Sequence, residues 1–132
     1  MREYDTKEDL HKKIQMATII GTIQSPWTKF PYLRKQWTTN TSEERLLGVS
    51  MTGIKDHPLL SHKDRSEEGT AKLIALLEDL RHTAVETNKK WAEKLGISQS
   101  TAITCVKPSG TVSELNNTAS GLHERFSPYY LR

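Results

Sequence analysis

Ala102-Ile103-Thr104-Cys105-Val106-Lys107-Pro108-Ser109-Gly110-Thr111-Val112-Ser113 is the stretch whose reading decides the fold. Its first half is rich in β-branched residues and predicts a strand over 101–106. Pro108-Ser109-Gly110 breaks that strand, because proline sets the direction of the chain and glycine allows a left-handed turn. Thr111 then reopens the chain as a helix. Amides at a helix start lack intrahelical partners and carry the positive end of the helix dipole, which suits an anionic oxygen, phosphate above all. On these residues alone, the turn reads either as a phosphate seat or as an ordinary strand-to-helix connection with Thr111 as N-cap. The spacing is neither that of a P-loop nor that of a dinucleotide-binding Gly-x-Gly-x-x-Gly.

Immediately upstream lies the longest regular element. Ser66 predicts an N-cap, Glu67 and Glu68 fill the first turn, and Leu73, Leu76, Leu77, Leu80, Ala84, Thr87, Trp91 and Leu95 recur at helical spacing. Gly96 ends the pattern. A helix over 66–95 would be about 45 Å long, a length that suits an outer helix of a large α/β enzyme. Before it, Leu46-Leu47-Gly48-Val49-Ser50-Met51-Thr52-Gly53-Ile54 reads as a strand. Its glycines mark either a bulge or the close approach of a ligand. Strand 46–54, helix 66–95 and strand 101–106 make a β-α-β unit, which predicts a parallel sheet with ligands at the carboxyl ends of its strands. Thr52-Gly53 and the Pro-Ser-Gly turn both fall at such ends.

Outward from this unit the signals are simpler. Residues 6–23 predict a helix capped by Asp5 or Thr6, with Leu10, Ile14, Ala17 and Gly21 on one line. Segment 25–37 is irregular, interrupted by Pro26 and Pro31. Its Trp27, Phe30, Tyr32 and Trp37 either stack on a base or anchor the loop to a core. Thr41-Ser42-Glu43-Glu44 has capping-box spacing and predicts a helix start. His57 and His62 lie on a polar loop and read as solvated rather than metal-ligating. Cys105, the one cysteine, reads as a buried strand thiol.

Composition narrows the classes. The chain has 132 residues, a net charge of +3 and a hydrophobic share of 35%; its mean hydropathy is −0.64 and its pI about 9.0. This low apolar content, with a polar and then aromatic tail over 116–132, predicts part of a larger architecture. Lys and Arg alternate with Asp and Glu, so there is no basic stripe for nucleic acid. The charged residues 1–5 have no apolar signal core, and no apolar run is long enough for a membrane span. A lone cysteine forms no intramolecular disulfide, and a cytoplasmic setting is expected.

Cys105 to Ser113, followed by Ala119-Ser120-Gly121-Leu122-His123 and Ser127-Pro128-Tyr129-Tyr130-Leu131-Arg132, resembles the adenosylcobalamin-dependent (class II) ribonucleoside-triphosphate reductases, in particular the monomeric type. Glu43 to Ile54, and Tyr32-Leu33-Arg34 with Trp37, look like further blocks of the same enzymes in the same order. The resemblance implies an α/β fold: residues 1–132 as one segment, the C-terminal part of a ten-stranded catalytic barrel, contributing the β-α-β unit at about 46–106 and flanking helices. It also implies a chemistry. In that family adenosylcobalamin generates a thiyl radical on a finger-loop cysteine, the radical removes the ribose 3′ hydrogen, two further cysteines supply reducing equivalents, and the 2′ hydroxyl leaves as water. Pro108, Ser109, Gly110, Thr111, Val112 and Ser113 match the family's seat for the substrate phosphates.

The departures are as informative. The finger loop, with its cysteine, Asn and Glu, has no counterpart here, and the reducing cysteine pair is missing. No catalytic and no metal-ligating residue is therefore assigned, and the radical role does not pass to Cys105. The family's effector region lies on the N-terminal side, and most of its cobalamin contacts lie past Arg132. The expected partners are a ribonucleoside triphosphate, the remainder of the reductase or a complementing subunit, and, for the complete enzyme, a thioredoxin-type reductant. The competing readings are a non-catalytic complementing subunit and a nucleotide-binding module.

Overall fold

The structure, a computed structural model, describes residues 1–125, 127 and 129. The aromatic tail block at 127–132 thus lies largely outside the described residues. Four helices follow one another: α1 (Lys7–Gln24), α2 (Lys35–Glu44), α3 (Glu67–Leu95) and α4 (Val112–Leu115).

The two long helices start where their caps predict. Ahead of α1, the Asp9 amide donates to Thr6 Oγ1 at 3.2 Å and the Thr6 amide to Asp9 Oδ2 at 3.0 Å. This is a reciprocal capping box with Asp in place of Glu. Ahead of α3, the Gly69 amide donates to Ser66 Oγ at 3.0 Å. Hydrogen bonds from the Ser66 hydroxyl and amide also hold the Asp64 carboxyl below its ordinary range. Gly96, at φ 65°, supplies the left-handed end of α3.

The α/β expectation fails. Among the described residues there is no strand and no sheet, and the regular structure is helical. Runs 46–54 and 101–106 do lie side by side, but they share a single parallel bridge between Val49 and Thr104. The Val49 amide donates to the Ile103 carbonyl at 2.9 Å and the Cys105 amide to the Val49 carbonyl at 3.0 Å. Two residues earlier, however, the Leu47 amide reaches Ala102, also at 2.9 Å. Two residues on one segment are thus matched by one on the other, and an evenly spaced parallel ladder cannot continue through that step. Parallel sheets also need both faces covered, whereas Thr104, Cys105 and Val106 are exposed. The β-α-β unit and the partial barrel are therefore not built by these residues, and Cys105 is an exposed thiol rather than a buried one.

A second correction concerns Thr41 to Glu44. This stretch ends a helix instead of starting one. α2 closes at Glu44; Arg45 adopts φ 46° and its amide returns to the Thr41 carbonyl at 3.0 Å. Arg34 enters α2 from an extended conformation (φ −59°, ψ 143°) without a side-chain cap bond, and α2 buries none of its residues. Trp27, Tyr32 and Trp37 lie exposed rather than anchoring the loop.

The chain divides into two compact units. The first comprises residues 1–10, 50–78 and those from 106 onward. Met1, Leu10, Leu60, Leu76 and Ala119 are buried in it, with His57. His57 Nδ1 accepts the Leu60 amide at 3.3 Å, which leaves the proton on Nε2 to face the Asp5 carbonyl at 3.1 Å. His57 is thus a buried structural imidazole, not a solvated one. The second unit comprises residues 11–49 and 79–105. Ile14, Leu80, Ala84 and Ala92 are buried there beside three polar residues, Thr18, Thr22 and Asn88. Asn88 Nδ2 donates to Thr22 Oγ1 at 2.9 Å and to Ser100 Oγ at 3.1 Å, and its Oδ1 accepts the Ser100 amide at 3.0 Å. This side chain joins α1, α3 and the segment that follows α3.

Candidate phosphate-binding turn

The turn after Lys107 carries two successive residues of positive φ, Ser109 at 74° and Gly110 at 57°. Glycine adopts that conformation at little cost; serine does so only when its surroundings hold it there. One such constraint is visible: Ser109 Oγ donates to Ser113 Oγ at 3.2 Å, and the Val112 amide closes on the Ser109 carbonyl at 3.2 Å. The amides of Gly110 and Thr111, both on exposed residues, donate to no group among the described residues. Successive amides in a turn of this kind form a concavity for an anion.

The helix after the turn contributes less than its sequence predicts. α4 has four residues, and Thr111 sits in the right-handed region (φ −92°, ψ −7°) with no side-chain cap bond. A helix this short sums few peptide dipoles, so the anion-binding capacity rests on the turn itself. Ser113 is buried and braces the turn from below, whereas Pro108, Gly110, Thr111 and Val112 are exposed. The structure thus brings Ser109 and Ser113 into contact and leaves Gly110 and Thr111 exposed.

Beneath the turn lies a platform built from three segments of the first unit. The Gly53 amide donates to the Ala119 carbonyl at 2.7 Å, and the Ala119 amide to Asp56 Oδ2 at 2.6 Å. The Thr118 amide donates to the Ser113 carbonyl at 3.0 Å, and its hydroxyl lies 3.2 Å from Thr52 Oγ1. Thr52 and Gly53 therefore meet the segment under the turn through Thr118 and Ala119, and not as the carboxyl end of a strand in a parallel sheet. Gly121 lies under Lys107: a Cβ built on it would be 2.0 Å from the Lys107 carbonyl oxygen. Arg125 extends the platform, with Nη2 donating to the Asn117 carbonyl at 2.6 Å and Nε 3.5 Å from Asp56 Oδ1. Sequence reading missed Asp56, Thr118 and Arg125, because no local pattern marks residues that meet only after the chain folds.

Among the described residues no group of three or more His, Cys, Asp or Glu is placed to hold a metal ion. The second unit has two open grooves. One, of about 390 Å³, runs along α2 beside Trp37, and the other, of about 460 Å³, lies between α1 and α3 beside Trp91. No helix among the described residues is long and apolar enough to cross a membrane.

No family model and no solved structure matches the chain. Curated proteins do. It is 32% identical to an adenosylcobalamin-dependent ribonucleoside-triphosphate reductase of Lactobacillus helveticus and 31% identical to that of Lactobacillus acidophilus, in each case over 68% of this chain and 14% of the relative. A Dictyostelium discoideum protein named a probable reductase of the same kind is 29% identical over 98% of this chain and 16% of its own length. The similarity to the Dictyostelium protein takes in almost every residue of the chain, which spans less than a fifth of any of these three relatives. By sequence the chain is similar to a short stretch of the adenosylcobalamin-dependent ribonucleoside-triphosphate reductases.

Proposed function

We propose that the chain is part of a ribonucleotide reductase that makes deoxyribonucleotides for DNA synthesis, and that residues 108–113 seat the triphosphate of the substrate. The observation that carries this reading is the turn at Ser109-Gly110, with the amides of the exposed Gly110 and Thr111 bound to no group among the described residues. Charge-assisted bonds from such amides to phosphate oxygens need no side chain, so the seat accepts any ribonucleoside triphosphate. The radical chemistry implied by the family requires a thiyl cysteine and a reducing pair, three sulfurs in all, and this chain has one cysteine. The role of this stretch is therefore binding, and the radical centre, the effector site and the cofactor's contacts belong to the rest of the enzyme. Reduction of the spent cysteines by a thioredoxin-type protein, and a cytoplasmic setting, complete the reading.

Titration of the chain with ATP tests the seat. Gly110 has open space around it but φ 57°, so Gly110→Val perturbs the turn and not the packing. We expect it to weaken ATP binding about tenfold, since a β-branched residue in this region costs roughly 1–2 kcal/mol. Equal affinity in the variant would remove the seat from the turn. With adenosylcobalamin, a dithiol and a ribonucleoside triphosphate, the 132-residue chain alone is expected to yield no deoxynucleotide; product formation would overturn the division of labour.

A complementing-subunit reading draws on a different observation. Met16, Ile20 and Ile23 form an exposed apolar line along α1. Co-elution with the remaining part of the reductase, lost on changing Ile20 to Glu, is the outcome that reading requires.

A further inference from the structure

The platform under the turn contains one carboxylate, and its two oxygens do different work. Asp56 Oδ2 accepts the Ala119 amide at 2.6 Å, and Oδ1 faces Arg125 Nε at 3.5 Å. The Asp56 amide is tied to the Gly53 carbonyl at 3.2 Å, and the Gly53 amide to the Ala119 carbonyl at 2.7 Å. Ala119 is therefore gripped on both its amide and its carbonyl by one short loop. From Ala119 the connection runs through adjacent atoms to the turn. Thr118 donates its amide to the Ser113 carbonyl, and the Ser113 hydroxyl accepts that of Ser109, which carries the strained φ of 74°. Arg125 reinforces the same segment from its other side through Asn117.

We infer that Asp56 is a positioning residue for the phosphate seat: it fixes Ala119 and Thr118, and through Ser113 it sets the conformation of Ser109-Gly110. This rests on the proposed function of the turn, but its effect on turn geometry is measurable without any ligand. Asp56 and Ala119 are 63 positions apart in the sequence, so only the folded platform couples Asp56 to residues 109–113. A hydrogen bond from a backbone amide to a carboxylate is charge-assisted and is among the stronger ones. Asparagine at the same place keeps an oxygen for the Ala119 amide and loses the charge that faces Arg125.

The experiment compares Asp56→Ala, Asp56→Asn, Arg125→Gln and Leu76→Ala, the last a buried residue of the same unit outside this network. Amide resonances of Gly110, Thr111 and Val112 are recorded for each full-length chain, and affinity for inorganic tripolyphosphate is measured in parallel. Asp56→Ala is expected to displace those resonances and to weaken tripolyphosphate binding about tenfold, the loss from one unmade charge-assisted bond. Asp56→Asn is expected to restore most of both. Arg125→Gln should move the same resonances in the same direction by less, and it serves as the reading if Asp56→Ala does not fold. Leu76→Ala should lower stability without moving them. The inference is overturned if Asp56→Ala, or Arg125→Gln in its place, leaves the turn amides unmoved, or if Leu76→Ala moves them equally. If the native chain binds no tripolyphosphate while Asp56→Ala still displaces the turn, positioning stands and the phosphate reading of the turn falls.

Discussion

Gly121→Ala is expected to destabilise the first unit by about 3 kcal/mol, the upper part of the range for inserting atoms into a packed site. The added Cβ would lie 2.0 Å from the Lys107 carbonyl oxygen and 3.1 Å from that of Met51. Both obstacles are backbone, so no side-chain rotation relieves them. Lys107 must move, and it leads directly into Pro108. The substitution should therefore shift the urea midpoint and also abolish any triphosphate binding at the turn. Gly96→Ala is the natural control. Gly96 also has a positive φ, 65°, but nothing lies within 4 Å of the added carbon, so only backbone strain remains, about 1 kcal/mol. Equal losses in the two variants would show that the Gly121 contact is not tight.

Asn88→Leu is expected to cost the second unit about 3 kcal/mol, although leucine is the better helix former and α3 is already rich in it. Asn88 is 1% exposed and makes three hydrogen bonds. Its removal leaves the Ser100 amide without its acceptor and takes a donor from the Thr22 hydroxyl, which itself donates to the Thr18 carbonyl at 2.8 Å. Buried groups that lose a partner bear the full cost of their lost hydration. Urea unfolding should show a lower midpoint with an unchanged slope, because the surface exposed on unfolding is the same. A midpoint within a few tenths of a kcal/mol of the native chain would mean that water replaces these bonds.

These two positions also show what is legible in the sequence and what is not. α1 and α3 are legible because their caps are local: Thr6 with Asp9, and Ser66 with Gly69, act within one turn. The break at Pro108-Ser109-Gly110 is legible for the same reason. Asn88 is not, since a polar residue on a helix reads as surface until the groups that satisfy it are in place. Asp56 and Arg125 are 69 positions apart in the numbering and acquire a meaning only together. The β-branched run at 101–106 misleads because strand propensity records how side chains fit a covered, pleated surface. Here Thr104, Cys105 and Val106 have no such cover and the pairing stops at one bridge. The family resemblance, in contrast, is carried by the order of short blocks and survives the failure of the strand prediction.

α2 buries no residue and its first turn has no side-chain cap, which has a consequence for the order in which the molecule comes apart. Little apolar surface is given up when such a helix opens, so its opening free energy falls toward zero while that of the Asn88-centred part of α3 approaches the global value. Amide protons of residues 36–44 should exchange with solvent orders of magnitude sooner than those around Ala84 and Asn88, and a protease added to the native protein should cut first in that segment, near Trp37.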